Sequence, residues 1–214
     1  MRSGCDRITC AGVAVALAAC AGNAIATDDA VDPSYGRVDG DIGIVAGVGG
    51  VVAPHGLRAE AELRLRYLES AGIFATFEDA GVLGSPSEPR NVAVVGLELR
   101  PLFLFRWLKG HETQRPWLDL ALDSIGLDLG ATFEQPAGGG FASRSGLEFG
   151  IGIELPILGR ASGPWMEVRG ALRWSDVALG SGVEGADDLQ AVLAVTLAWH
   201  QILSAHVVDV ADRR

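Results

Sequence analysis

Apolar and charged residues alternate strictly in one stretch of the chain. From Leu57 to Tyr67 every odd position is apolar or aromatic, and every even position from Arg58 to Arg66 is charged. Alanine, glutamate, leucine and arginine favour helices, but a helix would scatter these charges around its whole surface. A β-strand places them on one face, because successive side chains point to opposite sides. The alternation therefore predicts a strand over 57–67.

The same period of two recurs along the chain and predicts about eight strands in all. The other segments are 42–52, 72–78, 95–107, 118–133, 147–155, 166–174 and 189–199. In the segment 118–133 the alternation changes register near Ser124, which a β-bulge would explain. The last segment, extended to residue 208, could also be a buried helix behind Asp187 and Asp188. Glycine- and proline-rich turns separate the segments, and no repeat of 20–50 residues is present.

The polar face of the predicted strands carries charges of both signs, with glycines between them. Its charged members are Arg58, Glu60, Glu62, Arg64, Arg66, Glu98, Arg100, Arg106, Asp119, Asp123, Asp128, Glu148, Glu154, Glu167, Arg169 and Arg173. A buried unpaired charge is costly, so a closed interior lined by these residues should be close to neutral and held by ion pairs. The opposite face is leucine, valine, isoleucine and phenylalanine, as contact with hydrocarbon requires.

Two further features bear on which face is inside. Trp107, Trp174 and Trp199 fall near strand ends, and we expect them at a membrane interface as an aromatic girdle. Lys109 is the only lysine, whereas a polar face in contact with water would more often carry lysine. Alternation alone also fits a soluble, lipocalin-like barrel whose apolar face points inward.

From residue 41 to residue 200 the chain resembles the small eight-stranded outer-membrane barrels of bacteria, in pattern and not in any motif. The resemblance implies an all-β fold: a closed, antiparallel, up-and-down β-barrel that is transmembrane. It implies outer-membrane lipids and the barrel assembly machinery as partners, the latter reading a terminal aromatic residue such as Trp199. It also implies periplasmic termini and longer extracellular loops at 79–91, 134–144 and 175–188.

The N-terminal residues 1–26 have the features of a secretory signal peptide. A basic start is followed by an apolar stretch and a small-residue site ending at Ala26. A second interpretation is lipidation at Cys20, since the preceding residues resemble a lipobox. All three cysteines lie in this segment, so the exported chain has no cysteine-based metal site. Residues 27–40 are expected to be a flexible acidic lead-in and 201–214 a C-terminal tail.

The remaining chemistry favours a structural or interaction role. The net charge of −10 disfavours nucleic acid as a partner. An eight-stranded barrel is filled by its own side chains, which disfavours a general pore. The second hypothesis is a soluble periplasmic carrier of a small apolar ligand. The third is a lipid hydrolase that uses His200 and Ser204, although no carboxylate partner follows from spacing. The glycines at 138–140 lack the Lys-Ser/Thr of a phosphate loop, and no cofactor or metal site is predicted.

Overall fold

Eight antiparallel strands follow one another around a closed barrel in the computed structural model, which describes residues 35–84, 89–136, 138–180 and 189–205. The strands are β1 (Ile42–Ala53), β2 (Gly56–Tyr67), β3 (Ala71–Asp79), β4 (Asn91–Leu99), β5 (Gly126–Gln135), β6 (Arg144–Pro156), β7 (Gly163–Ser175) and β8 (Leu189–Leu203). Pairing of β1 with β8 closes the sheet. The predicted up-and-down barrel of eight strands is confirmed, and β8 is a strand and not the alternative helix.

Three helices accompany the strands. They are α1 (Pro101–Lys109), α2 (Pro116–Asp123) and α3 (Asp176–Gly180). No helix among the described residues is both long enough and apolar enough to cross a membrane. The residues of the predicted signal peptide, Cys20, residues 27–34 of the lead-in and residues 206–214 of the tail lie outside the described residues.

The two ends of the barrel carry different connections. β1 begins and β8 ends at one rim, where Ile42 pairs with Leu203, and we call this the N/C end and the opposite rim the far end. The far end carries the tight β1–β2 turn and the connections 80–90, 136–143 and 176–188. The N/C end carries the connections 68–70, 100–125 and 157–162. The predicted long loops therefore share the far end, but the longest connection of all, 100–125, lies at the N/C end.

Alternation along each strand separates charged from apolar side chains, as β2 illustrates. Its even-numbered charged residues are buried, whereas Leu57, Leu63 and Leu65 are exposed on the outside. The outer wall has the same character elsewhere. Leu97, Leu129 and Leu197 are 64 %, 56 % and 60 % exposed. The sheet thus buries charge inside and presents an apolar surface outside, which is the reverse of a soluble barrel.

The predicted strand 95–107 is wrong beyond Leu99, where β4 ends and a helix takes over. Pro101 is the first residue of α1, a position where its missing N–H costs nothing and its fixed φ suits the helix. Gly110 ends the helix in the left-handed conformation, with φ of 61°. Phe103, Phe105 and Trp107 are therefore helical residues and do not share a strand face.

The predicted strand at 118–122 is also wrong. Residues 116–123 form α2, which again begins on a proline, Pro116. The change of register near Ser124 is the transition from this helix to β5, and it is not a β-bulge. Both helices belong to the single connection between β4 and β5; they pack on one another, and α2 also packs on β6.

Candidate functional site: the charged interior and its cap

The interior of the barrel is lined by arginines and carboxylates in unequal number. Among the described residues, six arginines and ten acids are buried inside or at the N/C rim. The arginines are Arg58, Arg64, Arg66, Arg100, Arg169 and Arg173, and the acids are Glu60, Glu62, Glu69, Glu78, Glu98, Asp128, Glu134, Glu148, Glu154 and Glu167. The acids therefore outnumber the arginines by four, whereas the sequence predicted nearly equal numbers. Glu69, Glu78 and Glu134 were missed, although Glu78 has the inward parity of Phe74 on β3.

One group of these residues, the far-end cluster, lies toward the far end. It consists of Arg58, Arg169, Arg173, Glu60, Glu78 and Glu148. Arg58 Nε donates to Glu78 Oε2 at 2.8 Å, and Arg173 binds the same carboxylate. Arg169 links Glu148 to Glu60, whose Oε1 lies 2.6 Å from the guanidinium. Charge-assisted bonds of this kind join strands that are distant in sequence and tie opposite walls together.

The second group, the N/C cluster, fills the other half of the barrel. It consists of Arg64, Arg66, Arg100, Glu62, Glu69, Glu98, Asp128, Glu154, Glu167 and His200. Arg64 is its most connected member. Its guanidinium nitrogens lie 3.3 Å from both Glu98 and Asp128, and it also pairs with Glu62 and Glu167. One cation thus serves four carboxylates.

Two more arginines of the N/C cluster share their carboxylates. Arg66 Nε donates to Glu98 Oε2 at 3.0 Å, while Arg100 Nε donates to Glu98 Oε1 at 2.9 Å. Both guanidiniums also bind Glu154. Such sharing satisfies both oxygens of each acid, which is the condition under which buried ion pairs are tolerated.

A small cavity lies among the described residues of the N/C cluster. This cavity, beside Arg64 and between Glu98 and Glu167, has room for about one water molecule. Gly47 on β1 makes room for an acid, because a Cβ at that position would lie 2.6 Å from Glu62 Oε1. No three His, Cys, Asp or Glu residues in the described parts of the chain are placed to hold a metal ion together.

His200 and Ser204 do not form the pair that a hydrolase would use. His200 is buried, with Nε2 3.4 Å from Glu154 Oε2 and its ring stacked on Trp165 at 4.6 Å between centroids. The Ser204 hydroxyl is exposed and donates to the main-chain oxygen of Asp39 at 2.7 Å. His200 is therefore a packed member of the N/C cluster.

Asp119 and Asp123 lie outside the strands, in helix α2 at the N/C end. We call α1, α2 and residues 35–37 the N/C cap. Arg106 on α1 pairs with both aspartates, its NH1 lying 2.7 Å from Asp123 Oδ1. Arg37 pairs with Asp123 as well. The three charges assigned by parity to a strand face, Arg106, Asp119 and Asp123, instead hold two helices together.

Apolar packing seats the N/C cap on the barrel. Leu120 of α2 is completely buried and packs against Trp165 and Ala161, with Tyr35 and Ile202 beside them. The Tyr35 hydroxyl donates to Asp119 Oδ2 at 2.8 Å. Residues 35–37, expected to be part of a flexible lead-in, are therefore fixed against α2. The cap places a buried leucine over the N/C mouth of the barrel.

Hydrogen bonds to Asp119 set the protonation of the N/C cap. Burial alone would raise the pKa of Asp119, but hydrogen bonds from Thr113, Tyr35 and Arg106 outweigh it and lower the pKa to about 2. Burial and the same hydrogen bond raise the pKa of Tyr35 to about 12. The aspartate is therefore ionised, and the tyrosine neutral, at any physiological pH.

Acid is expected to loosen the N/C cap. The pKa of Asp119 is lowered in the folded protein, so its ionised carboxylate stabilises the fold fully at pH values above its ordinary pKa of 3.8. This stability is lost as the pH falls through about 2. Pepsin cleavage within residues 100–125 should therefore accelerate between about pH 4 and about pH 2, measured relative to an unfolded substrate in the same tube. Asp119→Asn should be cleaved readily at both pH values. If Asp119→Asn kept the same acceleration of cleavage between the two pH values as the unaltered protein, the role of Asp119 would be contradicted.

The tryptophans divide between the outer wall, the interior and the cap. Trp199 is outward on β8 near the N/C end and is 49 % exposed, and Trp174 is outward on β7 near the far end. Trp107 lies on α1 and not at a strand end, so its predicted strand position is wrong. Trp117 is exposed on α2, and Trp165 is buried inside.

Comparison with known proteins gives a weak structural likeness and no sequence match. No family model matches the sequence, and no curated protein matches it. A solved structure similar to the chain is Neisserial surface protein A, with 9 % sequence identity and a TM-score of 0.35. The match covers 76 % of this chain and 96 % of that chain. At this TM-score the likeness supports no conclusion about the role of the chain.

Proposed function

We propose that this chain is a bacterial outer-membrane β-barrel protein with a structural or interaction role and a side-chain-filled interior, and that it is not an enzyme. The observation that carries the proposal is the distribution of polarity: buried arginines and acids inside a closed sheet, and exposed leucines outside it. Hydrocarbon tolerates a sheet only when it has no open edge and an apolar outer face. Both conditions are met by the described strands.

The proposed orientation places the N/C end in the periplasm. Eight strands return the chain to the side where it began, and barrels of this kind keep their longer loops outside the cell. The connections 80–90, 136–143 and 176–188 would then face outward and offer the surface for an interaction. The helical connection 100–125 departs from the usual short periplasmic turns.

Export and assembly complete the proposal. Residues 1–26 act as a cleaved signal peptide, with lipidation at Cys20 as the alternative. Outer-membrane lipids surround the outer wall, and the assembly machinery reads Trp199 near the end of β8. The paired charges of both clusters and the capped N/C mouth support a filled barrel in place of a channel.

The two rival functions lose their support. A soluble carrier of an apolar ligand needs an apolar interior, but the arginines of β2 and β7 are buried inside. A lipid hydrolase needs a serine within reach of its histidine, but the hydroxyl of Ser204 is bound to Asp39 while His200 is buried.

The protein is expected to stay with the outer-membrane fraction after carbonate washing and to migrate differently in SDS gels before and after boiling. The reason is that a closed barrel has no free edge at which detergent can begin to unpair it. Gel electrophoresis of washed membranes, with and without heating, measures both properties. Recovery in the soluble periplasm without a heat shift would overturn the proposed function.

A further inference from the structure

Helix α1 has one face directed toward α2 and residue 37 of the N/C cap and one face without a partner among the described residues. Phe103 is buried, with the guanidinium of Arg37 5.1 Å from its ring centroid, and Arg106 is held by the cap aspartates. On the other face Leu102, Phe105 and Leu108 are 37 %, 60 % and 74 % exposed. A nine-residue helix that exposes this much apolar surface is not explained by the cap alone.

This face follows the outer wall of the barrel directly along the chain. Only Arg100 separates α1 from β4, whose last outward residues, Leu97 and Leu99, are exposed. A shallow apolar groove on the outer wall runs past Leu99 between β3 and β6. Helix α1 therefore begins at the N/C rim, two residues after the last exposed leucine of the outer wall.

The polar side chains of α1 suit the boundary between hydrocarbon and water. Lys109, the only lysine of the chain, is the last residue of the helix and is exposed. Trp107 is 46 % exposed and stacks on Phe103 at 6.4 Å between centroids. Helices that lie in a membrane interface combine leucine and aromatic residues on one face with basic residues whose heads reach the lipid phosphates.

We propose that α1 is an interfacial helix that binds phospholipid of the periplasmic leaflet, with Leu102, Phe105 and Leu108 inserted at the headgroup boundary and Lys109 beside the phosphates. The occupant of this face is thus lipid and not a second protein. The proposal rests on the proposed function, because it needs the N/C end to lie at the inner surface of the outer membrane.

Single fluorescent labels can test the depth of α1. Cys5, Cys10 and Cys20 are the only cysteines, so replacing them with serine gives a full chain without thiols. Single cysteines are then introduced by Leu108→Cys on α1, Val95→Cys on the outer wall of β4 and Gly140→Cys in a far-end loop. Each is labelled with an NBD dye and folded into vesicles of phosphatidylethanolamine and phosphatidylglycerol, and the heat shift on gels verifies folding.

Three quenchers distinguish the positions: nitroxide on the lipid headgroup, nitroxide deep on the acyl chain, and aqueous iodide. The dye at residue 108 should lose most emission to the headgroup nitroxide, the dye at residue 95 to the acyl-chain nitroxide, and the dye at residue 140 to iodide alone. The Val95 position tests the membrane barrel, and the Leu108 position tests the interfacial helix.

The outcomes separate the two claims. Iodide quenching at both residue 95 and residue 108 would overturn the proposed function. Acyl-chain quenching at residue 95 with iodide quenching at residue 108 would overturn the interfacial helix alone. A dye at residue 108 that is shielded from iodide and from both nitroxides would mean that protein covers α1, and this too would overturn lipid as its occupant.

Discussion

Replacing Arg64 with methionine is expected to lower the free energy of unfolding by about 3–5 kcal/mol, the cost of breaking a buried ion-pair cluster from one side. Arg64 is buried and serves Glu62, Glu98, Asp128 and Glu167. Methionine is unbranched like the aliphatic part of arginine, so the change removes the guanidinium and keeps an apolar stem. The four carboxylates would be left without their common cation. Urea titration of the protein folded in vesicles, followed by the gel heat shift, measures the loss.

Two variants control this experiment. Arg160→Met makes the same substitution at an exposed position in the β6–β7 connection and should change the free energy of unfolding by no more than about 0.5 kcal/mol. Adding Glu167→Gln to Arg64→Met removes one of the uncompensated charges and should recover part of the stability. Equal stability of Arg64→Met and Arg160→Met would refute the ion-pair core as a stabilising structure.

The strands were predictable because their two faces meet opposite environments. In β2 the charged side chains point inward and the apolar ones outward without exception from Leu57 to Arg66, so parity alone identifies the interior residues. The same rule predicted β8, although the sequence left a helix open there, and the structure shows a strand. A barrel with one charged and one apolar face therefore shows its strands in the sequence as a period of two.

Residues 100–125 were mispredicted because a parity test samples only every second residue. Phe103, Phe105 and Trp107 alternate with the preceding strand, but Leu102 and Leu104 between them are apolar as well. A run that is apolar at both parities is no longer an amphipathic strand. Proline at the first helical position and glycine after the last, at residues 101 and 110, were the available signals for a helix.

The alternation predicts which charged side chains face inward, but it does not predict which of them form ion pairs. Arg64 binds Glu167 and Arg66 binds Glu154, pairs whose members lie on β2, β7 and β6. Such contacts depend on the stagger of the strands around the closed barrel, which no local pattern encodes. Parity also placed Asp119 wrongly: it matched the charged face of a strand, but the residue lies in α2 of the N/C cap.

Replacing Leu129 with arginine is expected to lower the free energy of unfolding by about 2–4 kcal/mol in a bilayer, the cost of a cation at the midplane of a membrane barrel. Leu129 lies in the middle of β5 between Leu97 and Phe149, and it is 56 % exposed on the outer wall.

Leu83→Arg provides the matched control for that variant. Leu83 is 48 % exposed but lies in the far-end connection 80–90, beyond the strands. In a soluble barrel both leucines would face water, and each arginine would change the free energy of unfolding by no more than about 0.5 kcal/mol. Only lipid around the outer wall makes the two positions differ, because hydrocarbon penalises the charge at residue 129 while water accepts it at residue 83. Urea titration in vesicles measures the free energy of unfolding of both variants. Equal effects would contradict the claim that the outer wall of β5 contacts lipid.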